Sequence, residues 1–212
     1  RHCWWDIGHI PTSTSVKPAR GRPARSCLGD LVGYGPDPNE CVERVRSLPD
    51  LLCLIGNHDQ AALGGISLSR FNKDARDVAE WTRQALTAEN QDYLRSLPSK
   101  ITTHDFTLAH GSPRQPVWEY ILDQYTADRM FDFFETPYCL VGHSHLPLVF
   151  RRGADGNFAQ SVSVRYGNAL AMEPRMILNP GSVGQPRDMD PRAAYAMLDL
   201  DALPWEIRRV AY

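Results

Sequence analysis

The sequence predicts an α/β protein: a two-sheet β-sandwich flanked by helices. Three observations predict it. Strand-like and helix-like stretches alternate from residue 26 to about residue 141. Beyond residue 145 the chain becomes strand-rich, at 148–151, 161–165, 176–178, 193–198 and 205–210. Such an order puts two sheets face to face with helices outside. Third, four apolar runs each end in a short glycine-containing motif, as buried strands do when they deliver side chains to a shared crevice. The 212 residues are most simply one domain, 1–212, with an ordinary 42% hydrophobic and 23% charged content.

The elements follow from local chemistry. Residues 1–25 read unlike the rest, with Trp4-Trp5 and then Pro, Thr, Ser and Arg in no helical or strand period. Order resumes at Ser26-Cys27-Leu28. A Gly- and Pro-punctuated loop over 33–38 leads to Asp37 as N-cap and Pro38 as first helical position, opening a helix through Glu40, Val42 and Val45. A strand at 51–55 turns into a short helix over 57–62. Residues 74–86 are amphipathic, with Val78, Trp81 and Leu86 on one side. Thr87 caps a further helix through Leu94, which Pro98 stops. Short strands near 100–104 and 106–109 precede a loop over 112–123 carrying Trp118 and Tyr120. A helix near 126–135 leads to a strand at 138–141. Trp81 and the Phe131, Phe133 and Phe134 group read as core.

Composition excludes some classes. A formal charge of −2 gives no basic field, which argues against a nucleic-acid scaffold held by phosphate contacts. No run reaches the eighteen or so apolar residues of a membrane span, and the start lacks the apolar stretch of a secretory signal. Five cysteines, Cys3, Cys27, Cys41, Cys53 and Cys139, are scattered without a CxxC pair. Cys27, Cys53 and Cys139 fall inside apolar runs as small hydrophobes, so a reducing cytoplasm is the expected location.

The chemistry lies in Gly29-Asp30, Gly56-Asn57-His58-Asp59, Ala109-His110-Gly111 and Gly142-His143-Ser144-His145. Alone, Asp30 reads as a cap, Asn57 as a turn residue, His110 as a core histidine and His143/His145 as a surface loop. Together, one carboxylate, one amide oxygen and three imidazoles suit a divalent transition metal better than calcium or magnesium.

This series resembles the calcineurin-like metallophosphoesterase superfamily, and in particular its small bacterial and archaeal phosphodiesterases. The stretch from Gly29 to Glu40 and the late loop Leu178-Asn179-Pro180-Gly181-Ser182-Val183-Gly184 carry the likeness, which covers roughly residues 26–212. The resemblance implies a four-layer α-β-β-α fold and two divalent metal ions (Mn, Fe, Zn or Ni). Asp30 would bridge them, Asn57, His110 and His143 would complete the second site, and His145 would serve the first. His58 would act at the substrate phosphate as acid or charge stabiliser, with Asp59 orienting its imidazole. Metal-activated water would attack a phosphodiester or phosphomonoester, a small phosphate ester or a nucleotide.

One motif departs from the family pattern. Where such proteins carry Asp-x-His at the end of a first strand, this chain offers only Asp6 and His9 in Asp6-Ile7-Gly8-His9. The text that follows, with Pro11, Pro18, Gly21 and Pro23, is poor helix material. Three explanations stay open: a real divergence with one crippled site, Asp6 and His9 reaching the metal through an altered turn, or a frame slip before about Ser26. Codons for Asp-Ile-His read one base later give Thr-Ser-Thr, which stands at Thr12-Ser13-Thr14. The expectation is a second site held more firmly than the first. The rival reading is a catalytically impaired, metal-binding or sensing relative.

Other residues have two readings each. Tyr34 walls the substrate site or packs a turn. Arg187 meets a phosphate, or pairs with Asp188 in solvent. Arg114 is a weaker candidate of the same kind, and Asn179 with Ser182 would brace the His143/His145 loop. A homo-oligomer is left open by the apolar strands near the C-terminus.

Overall fold

The computed structural model describes residues 25–153, 158–198 and 204–211. Three sheets are present among them. Strands β1 (Arg25–Cys27) and β2 (Leu51–Cys53) form a parallel pair. A six-stranded sheet runs β3-β4-β5-β9-β6-β7, made of Lys100–Thr102, Phe106–Ala109, Tyr138–Val141, Met176–Pro180, Pro147–Arg151 and Gln160–Val162 in that order. Its central strands β4, β5 and β9 are parallel. A third sheet, β10-β11-β8, joins Ala193–Leu198, Pro204–Val210 and Ala169–Ala171.

Side-chain alternation explains the layering. Phe106, Leu108, Tyr138, Leu140 and Leu178 leave one face of the large sheet for a core shared with Leu28 and Leu54 after β1 and β2, and with Ala196, Leu198, Trp205 and Ile207 of β10 and β11. Cys139, Val141, Phe150 and Ile177 leave its opposite face to meet Ala127 and Met130 of α5 (Gln124–Met130) and the following Phe131 and Phe134. On the far side, Cys27 and Cys53 pack with Val42 and Val45 of α1 (Pro38–Arg46) and Leu94 of α4 (Ala88–Ser96). The order is therefore helix, sheet, sheet, helix, as expected.

Helix α2 (Asn57–Ala62) and the Thr87 cap of α4, whose side chain accepts from the Asn90 amide, also match expectation. Helix α3 (Lys73–Ala85) is capped by Asn72 and turns a different face inward. Its buried residues are Ala79 and Thr82, with Ala79 packed near Ala61 and Phe71. Small residues let α3 approach α2 closely, so Trp81 points outward, 46% exposed. Phe133 is also turned out at 44%, whereas Phe131 and Phe134 are core. Strand β8 has no apolar alternation long enough to have been foreseen. No helix among the described residues is long and apolar enough to cross a membrane.

Candidate metal centre and its cleft

Four strand ends converge. The chain leaves β1 through Gly29 and Asp30, both with left-handed backbone (φ 100° and 58°). A side chain at Gly29 would put its Cβ 2.7 Å from the Gly56 nitrogen and 2.9 Å from His110 Nδ1, so only glycine lets the motifs meet. Asp30 is fully buried. Its Oδ1 accepts from the His58 amide (2.9 Å). Its Oδ2 has no hydrogen-bond partner among the described residues and lies 3.3 Å from His110 Nε2.

His110 sits one residue beyond β4, and the Gly142 amide after β5 donates to its carbonyl (2.8 Å). Its Nδ1–H donates to the Leu28 carbonyl at 2.6 Å, because a carbonyl can only accept. That bond fixes the tautomer and leaves Nε2 as a lone pair. Around Nε2 stand three more atoms able to offer a lone pair: Asn57 Oδ1 at 3.0 Å, His143 Nδ1 at 3.2 Å in the tautomer protonated on Nε2, and the orphaned Asp30 Oδ2. Ligand atoms of Asp30, His110 and His143 all lie within 4.8 Å of one another, and all three residues are buried. Buried lone pairs pointed at a common centre repel unless a cation stands among them, so this donor set fits a divalent metal. Burial works against an ionised Asp30, yet the positive charge that His110, His58 and His143 carry when protonated holds its carboxyl far below the usual carboxylate range, and with neutral imidazoles a bound cation would take that part.

The last motif is also strained, with His143 and His145 at φ 62° and 61°. His143 stacks on Tyr120 at 3.8 Å between centroids. The His145 Nδ1–H donates to the Gln185 carbonyl (2.8 Å), turning Nε2 toward the Tyr34 hydroxyl at 3.4 Å. Asn179 braces the turn by donating to the Gly142 carbonyl (2.7 Å) and the Ser144 hydroxyl (3.0 Å), and Ser182 Oγ accepts from the Gln185 amide (3.0 Å).

Asp59 has a different place from the one expected beside the His58 imidazole. Its Oδ2 accepts from the amides of Asp30 and Gly56, each at 2.9 Å, and its Oδ1 from that of Val32 at 3.1 Å. It ties the Gly29-Asp30 turn to the start of α2. Burial and the Asp30 charge push its pKa up to about 7, against the pull of those amides. Arg187 donates to Gln185 rather than Asp188, which is engaged by Tyr166 and Arg209. Arg114 is clamped to Glu119 and is not among the residues lining the cleft. Asp6 and His9 lie outside the described residues.

Beside the metal cluster opens a cleft of about 670 Å³. Tyr34, Asn57, His58 and Arg187 line it, as do Arg70, Phe71, Trp118 and Tyr120. Sequence reasoning missed the role of the latter group in forming a wall. The one available signal was the aromatic pair Trp118 and Tyr120 in a proline-bounded loop just after His110.

Residues 19–203 match the model of the calcineurin-like phosphoesterase superfamily domain. An uncharacterised protein of Methanocaldococcus jannaschii is 39% identical over 191 residues, 88% of this chain and 75% of that protein. A crystal structure of a metallophosphoesterase from Sphaerobacter thermophilus superposes with a TM-score of 0.76 at 46% identity, covering 87% of this chain and 76% of the other. A hypothetical protein from Pyrococcus horikoshii OT3 shares the fold at 20% identity and a TM-score of 0.72, covering 91% and 76%.

Proposed function

The chain belongs to the calcineurin-like phosphoesterase superfamily, and from that premise we propose that it hydrolyses phosphodiesters or phosphomonoesters with divalent metal ions bound beside His58. The observation that carries the reading is the buried cluster of metal-ligating atoms around His110 Nε2, with the His110 tautomer set by the Leu28 carbonyl and an orphaned Asp30 oxygen beside it. Asp30, Asn57, His110 and His143 would hold one cation firmly. Asp30 and His145 would serve a second, weaker position to which Asp6 and His9 are the remaining candidates. Manganese, iron, zinc or nickel suits these ligands. The chemistry such ions supply is Lewis acidity toward phosphoryl oxygen and acidification of the attacking water.

The chain's own groups do the rest. His58 lies in the first turn of α2 with its ring in the cleft, bounded by Tyr34 (4.2 Å between centroids) and the edge of Phe71 (5.1 Å). From there it donates a proton to the leaving oxygen, or a hydrogen bond to the charge that develops on it. Its backbone amide meanwhile holds Asp30 Oδ1. Tyr34 and Arg187 line the same cleft, where the guanidinium can meet a phosphate oxygen.

The test is turnover of an aryl phosphodiester and monoester after manganese loading, compared with His58→Ala. Activity in the parent chain, lost in the variant while metal content stays the same, is the expected result. No turnover with any of the four metals would favour the non-catalytic, metal-sensing reading. Two tightly held ions per chain would refute the unequal sites.

A further inference from the structure

We propose that the wall formed by Arg70, Phe71 and Trp118 is a recognition subsite for a nucleobase, making nucleotides the substrate class of this cleft. The proposal rests on the phosphoester reading for the placement of the phosphate end. A chain of rings runs outward from that end. His58 meets Phe71 edge-on at 5.1 Å and 81°, and Phe71 meets Trp118 edge-on at 5.4 Å and 74°. The Arg70 guanidinium lies 4.9 Å over the indole. Two ring steps therefore separate the phosphate end from a π-face capped by a planar cation, and a ribose bridges such a gap. A base laid against Trp118 takes the place of the Arg70 guanidinium over the indole, and the displaced guanidinium closes over the base's outer face.

The wall is built in advance of any ligand. Ser112 and Arg114 both grip the Glu119 carboxylate, and the Ser112 hydroxyl accepts from the Gln115 amide at 2.9 Å. The Gly111 amide donates to the Pro116 carbonyl, wiring the Trp118 loop to His110. On the other side, Ser67 caps the short turn Leu68–Arg70 that delivers Arg70 and Phe71. Binding a base here costs little ordering of the two backbone segments, and the exposed Arg70 side chain is the group that moves. A sugar phosphate or an alkyl ester has no planar face to lie between Trp118 and Arg70, whereas a base has one.

The experiment compares adenosine 5′-monophosphate with ribose 5-phosphate, which lacks only the base. Calorimetric binding is measured on metal-stripped protein, and phosphate release on manganese-loaded protein. The nucleotide should bind tighter, and Trp118→Ala should weaken it roughly 5- to 150-fold while leaving ribose 5-phosphate unchanged. Trp118→Phe should restore most of the difference, which separates loss of a stacking face from a misfolded loop. In turnover the effect should fall on KM and spare kcat. Equal affinity for the two ligands, or Trp118 variants that weaken both alike, would overturn the subsite and leave the hydrolase reading intact. Nucleotide binding that depends on Trp118 without turnover of any ester would uphold the subsite and sink the hydrolase reading.

Discussion

Replacing Asp59 with asparagine tests whether this carboxylate acts on the backbone or on His58. The aspartate receives three amide protons, from Asp30 and Gly56 at Oδ2 and from Val32 at Oδ1. Asparagine has one acceptor oxygen. Kept at the doubly used position, it leaves its amide nitrogen facing the Val32 N–H, donor against donor. Above the Asp59 pKa of about 7, where the carboxyl is ionised, losing one charge-assisted bond costs about 1.5–3 kcal/mol, and the buried unsatisfied donor about 1–3 kcal/mol more. Relief of the repulsion between Asp59 and Asp30 returns part of this, so about 3 kcal/mol is expected. For a chain of this size that is a fall in Tm of roughly 6–12 °C. Urea denaturation followed by far-ultraviolet circular dichroism measures it, on metal-stripped and manganese-loaded protein. Metal affinity should fall as well, because the Asp30 turn loses its anchor. An unchanged midpoint with a lower kcat would refute this reasoning and return Asp59 to the imidazole.

Three further outcomes follow. Gly29→Ala forces a Cβ to within 2.7 Å of the Gly56 nitrogen at φ 100°, which should cost about 2–4 kcal/mol and weaken manganese binding; a variant as stable as the parent would contradict the close approach. His143→Ala should weaken manganese binding more than His145→Ala, because His143 belongs to the buried cluster and His145 faces Tyr34; atomic absorption on dialysed protein reads the order directly. Partial burial works against the Glu119 charge, but Arg114 and Ser112 hold its pKa below the ordinary glutamate value. Its contribution is present above the unfolded-state pKa and lost as pH falls through the lower folded one, so Glu119→Gln should flatten the acid limb of a Tm–pH curve and leave the neutral-pH shape unchanged.

Much of this architecture can be read from the chain because local chemistry dictates it. The stretches Phe106–Ala109 and Tyr138–Val141 are apolar, bounded by turn residues and buried on both sides, so their strand character and the placement of His110 and His143 beyond them were visible. Asp37-Pro38 and Thr87 marked helix starts for equally local reasons. Asp59 was misjudged because adjacency in sequence is not adjacency on a helix: successive residues of α2 point about 100° apart, so His58 enters the cleft while Asp59 turns back to Val32. The buried face of α3 differs from the one its bulky residues predict, because close packing on α2 selects the small Ala79. The cleft wall had no local signature. It forms where the 67–71 turn meets the loop around Trp118, two segments far apart in the chain.

The backbone at the donors bears on how a cation is held. Asp30, His143 and His145 all adopt left-handed conformations, each at a cost of about 1–2 kcal/mol for a residue with a Cβ. Those costs persist only where surrounding bonds over-determine the geometry. Here the bonds are specific: Asp59 on the Asp30 turn, Asn179 on the Gly142 carbonyl and Ser144, and the Gln185 carbonyl on His145. None of these bracing groups belongs to the acceptor cluster around His110. The strain is therefore carried in part by the protein's own hydrogen bonds. The affinity of a cation for such a site then depends on the bracing residues as well as on the donors. Replacing Asn179 should weaken manganese binding although its side chain is bonded to the Gly142 carbonyl and Ser144, and an Asn179→Ala protein with unaltered metal affinity would show the strained turn to be held by the metal instead.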